Sequence, residues 1–505
     1  MSAILPHSGH SAALFDSSTA AAARSAAEQF LRRHHMCADQ IDMEAQLQKL
    51  LKEMDQVRAG VLDRNGNRVK MIPSYIGSFH APAHPTQVTV IDIGGTNVRS
   101  AVVTLGPEGT LRMDQRLSFL TPGVKEETDT AHFFRDIAEG VRSNLFTGHI
   151  GICFSLATIP QRDGDAVMCA GGKQIRIRDM IGKKVGQSFR EALAGLGMKA
   201  DHYHITVVND TVAAALGGQG EMQHYNYSTY IGFIYGTGTN LCYREKESGE
   251  MINVESGAYC GFPTGDIDDL YDQSMIDIGA DCFEKMVSGG YQGGLMEWVL
   301  HTAMLEGELS QSTYERILCL NASGKDTSSG QTAFSDQTMP SGQMNCSGKN
   351  AVSHQTESSV QMNFPAGARS SRITSRDIST FSMDPFGADH AGRIASACNS
   401  SPDGEADRAF LYALFDCITA RSACLCAVTL TAALMRSAAE NTRDTPSLPA
   451  FITAEGSTFA KQKDFRSMLE AFMSEFAAIR HGFSYEFHTI EDAVLKGTAI
   501  SCLSE

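Results

Sequence analysis

The chain has 505 residues, 42% of them hydrophobic and 20% charged, a composition that excludes disordered and fibrous classes. At roughly 100–200 residues per domain, that length predicts two substantial domains with a ligand cleft between them. The formal net charge of −16, without any basic run, gives no electrostatic reason to bind nucleic acid or an anionic membrane.

Residues 1–36 read as a flexible N-terminus. The segment 37–60 has apolar residues at helical spacing and ends at Gly60, which predicts an amphipathic helix. Residues 88–105 (VTVIDIGGTNVRSAVVTL) read as a hairpin of β-branched strands around a Gly-Gly turn. A further strand pattern follows at 149–158. Residues 205–216 (ITVVNDTVAAAL) predict a strand that stops at Asn-Asp and passes into an Ala-rich helix. Another strand–glycine turn–strand spans 229–243. Helical patterns cover 282–307, 406–440 and 461–480, and 451–458 reads as a strand leading into a turn and helix. Alternating strands and helices predict an α/β fold. Residues 321–371 are rich in Ser, Thr, Gln, Asn and Gly. That composition predicts a polar surface insertion.

The thirteen cysteines are scattered and form no Cys-x-x-Cys pair, which predicts reduced, buried thiols in a reducing, cytoplasmic setting. The apolar run Ser422 to Met435 is too short and too Thr-rich to span a bilayer and predicts a buried core helix.

Three glycine turns carry the chemistry. In Asp92-Ile-Gly-Gly-Thr-Asn-Val-Arg99, Gly94 and Gly95 leave backbone N–H groups open to a phosphate, and Thr96 and Asn97 add donors. Arg99 can stabilise charge on a transferring phosphoryl group. Asp92, at a strand end, can hold magnesium through water. The segment Gly236-Thr237-Gly238-Thr239-Asn240 repeats the device, and Gly456-Ser457-Thr458 offers a third turn for an adenosine. Between them lies Asn209-Asp210-Thr211, at a strand's carboxyl end, where α/β sheets bind ligands. Asp210 is read either as a helix N-cap or as a base accepting a hydroxyl proton. Ser155, Lys173, Asn209, Asp210, Glu255 and Glu284 are polar groups able to hold sugar hydroxyls. The histidines form no metal pattern.

Taken together and in order, these segments resemble the hexokinase family, including glucokinases, over roughly residues 37–320 and 405–505. DIGGTNVR (92–99) is similar to the family's first phosphate motif, CFS (153–155) to its sugar strand, and VVNDT (207–211) to the segment holding its catalytic Asp. GTGTN (236–240) resembles the second phosphate motif, NVESGA (253–258) and FEKMVSGGY (283–291) the two sugar-Glu segments, and AEGST (454–458) the adenosine turn. The resemblance implies a two-domain actin-like ATPase (ribonuclease H-like) fold with the sugar cleft between the domains. The small domain would be 75–206 with 490–505, and the large domain 37–74 and 207–489. It implies ATP- and Mg²⁺-dependent phosphorylation of glucose or a similar hexose at the 6-hydroxyl, the first step of glycolysis. Asp210 would be the base, with Arg99 assisting. Ser155, Lys173, Asn209, Asn240, Glu255 and Glu284 would bind the sugar. Asp92, Gly94, Gly95, Thr96, Asn97, Gly238, Thr239, Gly456 and Ser457 would face ATP–Mg²⁺.

The chain departs from the family pattern in places. Gly172-Lys173 stands where Thr-Lys is usual, and Ala493-Val494-Leu495-Lys496-Gly497 where Gly-Ser-Gly-Lys-Gly is usual. One lost sugar hydrogen bond would cost about 0.5–1.5 kcal/mol. Two alternatives stand beside the kinase: a sugar-binding regulator that has lost turnover, and a chaperone- or actin-like ATPase. The latter has no need of Ser155, Lys173, Glu255 and Glu284 together.

Overall fold

The structure, a computed structural model, describes residues 14–61, 69–77, 79, 81–169, 175–222, 225–319, 373–387, 392–437 and 448–504. The insertion expected at 321–371 lies outside the described residues.

Two sheets share one wiring. The first contains β2 (Thr86–Ile93), β3 (Asn97–Leu105), β4 (Leu111–Leu120), β5 (His149–Phe154) and β6 (His204–Val208), in the order β6-β5-β2-β3-β4. β2, β3 and β4 form an antiparallel meander, and β5 and β6 add in parallel on the side of β2. The second sheet repeats this with β7 (Thr229–Tyr235), β8 (Thr239–Arg244), β9 (Met251–Asn253), β10 (Ala450–Glu455) and β11 (Tyr485–His488). Its meander is β7-β8-β9, with β10 and β11 parallel to β7, and the short β1 (Ile72–Pro73) pairs with β9 at the edge. β2 is buried along most of its length, as the β-branched run predicts for a central strand covered on both faces.

Seven helices matter to the argument: α1 (Ser17–Arg33), α2 (Met43–Arg58), α3 (Asp210–Glu221), α4 (Cys282–Val287), α5 (Gly289–Leu305), α6 (Gly404–Arg436) and α7 (Ala493–Ser501). α6 is long and apolar enough to cross a membrane by length and composition, but its most apolar stretch lies wholly inside the protein. α1 and α2 pack against it.

α1 corrects the expectation of a flexible segment over 1–36, of which residues 14–36 are described. Asp16 caps the helix by accepting the N–H groups of Ser18 and Thr19. Ala27, Phe30 and Leu31 are buried in one cluster with Leu411, Leu414 and Phe415 of α6. An Ala-rich helix with few apolar side chains is stable here because its partner covers it.

The two sheets are bridged by α3 and α7. α3 leaves the edge strand β6 of the first sheet and lies on β7 and β10 of the second, while α7 lies on β2 and β5 of the first. The helices cross backbone to backbone. A Cβ on Gly217 would lie 2.1 Å from the Ala493 carbonyl oxygen, and one on Gly497 would lie 1.7 Å from that of Ala213. The expected boundary between 206 and 207 falls inside β6, whose five residues all pair with β5.

Candidate active site

Three neighbouring parallel strands of the first sheet end together. Asp92 stands near the end of β2 in register with Cys153 on β5, and Ser155 follows β5, its N–H donating to the Ile93 carbonyl at 3.2 Å. Asp210 opens α3 one residue beyond β6 and Asn209. The helix-cap reading of Asp210 is corrected by its neighbour. Asn209 is the N-cap, in extended conformation, and its Oδ1 accepts the Thr211 N–H at 2.9 Å. Asp210 Oδ1 accepts the same N–H at 2.7 Å and the Thr211 hydroxyl at 3.2 Å.

Burial and then the Asp92 charge raise the Asp210 carboxyl to about 6, against the lowering effect of hydrogen bonds from Thr211 and Ser155. Asp92 is buried and receives Arg99 at 2.9 Å from Nε and 2.7 Å from Nη2. Arg99 also lies 4.0 Å from Asp492. Thr96, Asn97 and Arg99 are exposed on the hairpin turn. Neither Gly94 nor Gly95 has a positive φ. A Cβ at position 94 would stand 3.2 Å from the Asn97 carbonyl oxygen, a tight contact.

The second turn is held from behind. Gly289 and Gly290, at the start of α5, donate to the carbonyls of Gly236 (2.8 Å) and Thr237 (2.9 Å), and the Thr458 hydroxyl also donates to Gly236. The third turn abuts it. Gly456 has φ +120°, and a Cβ there would sit 2.2 Å from the Tyr235 carbonyl oxygen. Gly238 leaves room for Glu284, whose Oε2 would be 2.5 Å from a Cβ at that position. Thr239 is buried, with its N–H on Glu284 (3.1 Å) and its hydroxyl on the Ile234 carbonyl (3.2 Å). Thr237 and Ser457 are the exposed hydroxyls of these two turns.

Of the expected sugar contacts, Asn209 and Glu255 line one pocket with Ser74, Thr158 and Asn253. Burial raises the Glu255 carboxyl to about 7, opposed by a hydrogen bond from Asn253 and assisted by the charges of Asp210 and Glu284. Asn240 is engaged internally: its Oδ1 accepts the N–H groups of Leu241 and Ser256, and its Nδ2 donates to Asn253. Lys173, with Gly172, lies outside the described residues. Ser74 and Thr158 carry no sequence signal of their own, and Asn253 opens the segment 253–258 without being among the expected site residues. Among the described residues no three His, Cys, Asp or Glu side chains cluster as direct metal ligands.

The expectation of reduced thiols is corrected at one place. Cys260 and Cys282, 22 positions apart, form a disulfide. Only the tertiary approach of the segment after Glu255 to the start of α4 brings them together.

Residues 33–219 match one family model described as hexokinase, and residues 230–504 match a second. The chain belongs to the hexokinase family. Its two sheets, with α3 and α7 between them, form the two-domain actin-like sugar-kinase fold. Hexokinase-3 of Oryza sativa subsp. japonica is 27% identical over 279 residues, covering 50% of this chain and 54% of that protein. Hexokinase-2 of Equus caballus is 23% identical over 446 residues, covering 83% of this chain and 42% of that protein. The chain thus spans about half the length of the curated hexokinases it matches. The solved hexokinase of Schistosoma mansoni in complex with glucose has the same fold, with a TM-score of 0.68 at 18% identity over 95% of this chain and 99% of that one. A second solved hexokinase gives 0.66 at 19% identity, over 95% and 98%. Where hexokinases usually carry Gly-Ser-Gly, Ala493, Val494 and Leu495 are buried at the start of α7.

Proposed function

We propose that this chain transfers the γ-phosphoryl group of ATP to the 6-hydroxyl of glucose or a closely similar hexose, with Asp210 as general base. The observation that carries the proposal is the Asp210 carboxyl. It is fixed at a helix start, lies among the sugar-binding candidates Ser155, Asn209 and Glu255, and is raised to about 6. A base with a pKa near the working pH is the efficient one.

Asp210 accepts the proton of the attacking hydroxyl. Ser155, Lys173, Asn209, Glu255 and Glu284 hold the sugar, and charged or amide partners aimed at several hydroxyls select between epimers. The Schistosoma mansoni complex makes glucose the first sugar to test. Thr96 and Asn97 on the first turn, with Thr237 and Ser457 on the second and third, supply hydroxyl and amide donors, and the bare backbone of Gly456 lets the last two turns meet. Arg99 stands ready to leave Asp92 for the transferring phosphoryl group. The buried Glu455 Oε1, which has no hydrogen-bond partner, and the carboxylate of Asp92 suit a hydrated cation beside the phosphates. Mg²⁺ bound there would neutralise phosphate charge. The segments 75–208 with 490–505, and 37–74 with 209–489, act as small and large domains that close on the sugar and exclude water.

The test is a coupled phosphoryl-transfer assay with Mg-ATP over a panel of hexoses, alongside calorimetry of sugar binding. Turnover with glucose is expected. Asp210→Ala is expected to lower kcat by orders of magnitude while sugar still binds. Near-native turnover in that variant would overturn the base assignment. Sugar binding by the parent chain without turnover on any donor would favour a regulator.

A further inference from the structure

The strand pair β8–β9 brings together three side chains whose hydrogen bonds run in one direction. Asn240 Oδ1 accepts two backbone N–H groups, from Leu241 at 2.7 Å and from Ser256 at 3.2 Å. A backbone N–H can only donate, so that end of the Asn240 amide is its oxygen, and its Nδ2 must be the end that faces Asn253. Nδ2 donates to Asn253 Oδ1 at 2.8 Å. The Asn253 amide is thereby oriented, and its own Nδ2 donates to Glu255 Oε1 at 2.7 Å. Asn253 is buried, 4% exposed, so water does not offer it alternative partners.

The receiving group is held as firmly. Glu255 adopts a left-handed backbone, φ 52° and ψ 52°, at the start of a short 3-10 turn. That conformation is uncommon for a residue with a side chain, and it is kept by surrounding contacts. One of those contacts is the Ser256 N–H on Asn240. The same asparagine therefore fixes both the backbone beside Glu255 and the orientation of the amide that meets its carboxylate.

We infer that Asn253 is a positioning residue for the sugar site: it holds Oε1 of Glu255 with a donor that favours the carboxylate form, and leaves Oε2 to accept a sugar hydroxyl. The inference deepens the hexose-kinase reading and rests on it for the sugar contact. The state of Glu255 itself does not depend on that reading.

Among the described residues, the charges that act most strongly on Glu255 are unfavourable to its ionised form. Asp210 at the start of α3, Glu284 on α4 and Asp281 just before α4 are all acidic. Cys169, after the short strand at 166–168, interacts electrostatically with the same carboxylate. A donated hydrogen bond favours the ionised form and burial opposes it. Removing the Asn253 amide leaves the opposing influences alone. Asn253→Asp goes further, because it sets one carboxylate against another, and such a pair holds a proton to higher pH.

The experiment has two arms. The first is a carboxyl ¹³C titration of the sugar-free full chain labelled at glutamate, with the Glu255 signal identified by its loss in Glu255→Gln. Asn253→Ala is expected to raise the Glu255 midpoint by about one pH unit, a tenfold change in its proton affinity, and Asn253→Asp by more. An unchanged midpoint in folded Asn253→Ala overturns the inference, whatever the chain's activity. The second arm is sugar KM and kcat against pH. In Asn253→Ala, KM for glucose at pH 7 is expected to rise about tenfold or more. kcat should change little, and the KM defect should shrink towards pH 9 as Glu255 ionises. A purely structural role would give a defect that does not vary with pH, and that result also overturns the inference. Absence of sugar binding by the parent chain would count against the hexose reading and leave the titration as the deciding measurement for Asn253. Should Asn253→Ala fail to fold, Asn240→Asp, which keeps both acceptor contacts and removes the donor to Asn253, is expected to raise the Glu255 midpoint in the same direction, and no rise there overturns the inference.

Discussion

Asp92 stands near the end of one strand and Asp210 just past the end of another parallel to it, with the strand that leads to Ser155 between them, and the charge of the first helps to raise the carboxyl of the second to about 6. Asp92 is paired with Arg99, yet it still acts on Asp210. kcat/KM is therefore expected to lose a second proton-dependent factor near pH 6, below the loss near pH 7 that Glu255 governs, since the base must be unprotonated to act. Asp92→Asn is expected to move that second loss to lower pH while reducing kcat. A second loss near pH 4 in the parent, the ordinary carboxylate range, would mean that burial does not set the base.

Gly456 is where the third turn touches the second. Its φ of +120° and the Tyr235 carbonyl oxygen, 2.2 Å from where a Cβ would stand, leave no room for a side chain. Gly456→Ala is expected to lose on the order of 1–3 kcal/mol of stability through backbone strain. It is also expected to raise KM for ATP about tenfold while calorimetric glucose affinity stays unchanged. Equal loss for both ligands would show that the turn serves the whole cleft.

Glu455 is raised to about 7, chiefly by burial and further by Asp492, with Arg99 opposing. Its folded pKa lies above its ordinary 4.5. Its contribution to stability is therefore complete below pH 4.5 and is lost as pH rises through 7. Glu455→Gln is expected to flatten that decline, by at most about 3 kcal/mol at high pH. Thermal melts at pH 5, 7 and 8.5, with and without nucleotide, would detect it. Identical pH slopes in parent and variant would show that Glu455 ionises freely.

The Cys260–Cys282 link joins the segment after Glu255 to the helix carrying Glu284. Alkylation of the unreduced, denatured chain followed by peptide mass analysis is expected to find these two cysteines linked and unmodified. Replacing both by serine should cost up to about 3 kcal/mol, by freeing a loop of that length in the unfolded chain. Full alkylation of both without reductant would show the thiols to be free in solution.

The hairpins read at 88–105 and 229–243, the helix after Asp210 and the positions of Asp92 and Asp210 at strand ends were all legible in the sequence. Each is a local pattern: β-branched runs, glycine turns, or a strand that stops at Asn-Asp before an Ala-rich stretch. Local pattern also carries the glycine turns, because their backbone geometry depends on a few adjacent residues. It does not carry α1, whose stability comes from α6: Arg24 reaches Asp416, 392 positions away. Nor does it carry the capping role of Asn209 in place of Asp210, the burial of Thr239 rather than Thr237, or the Cys260–Cys282 link. Asn253 is the clearest case. The sequence places it two residues before Glu255 in the segment 253–258 but gives its amide no role, and only the pairing of β8 with β9 sets that amide between Asn240 and Glu255. Covalent neighbours and side-chain periodicity determine elements, whereas the direction of a buried hydrogen bond depends on partners that only folding brings within reach.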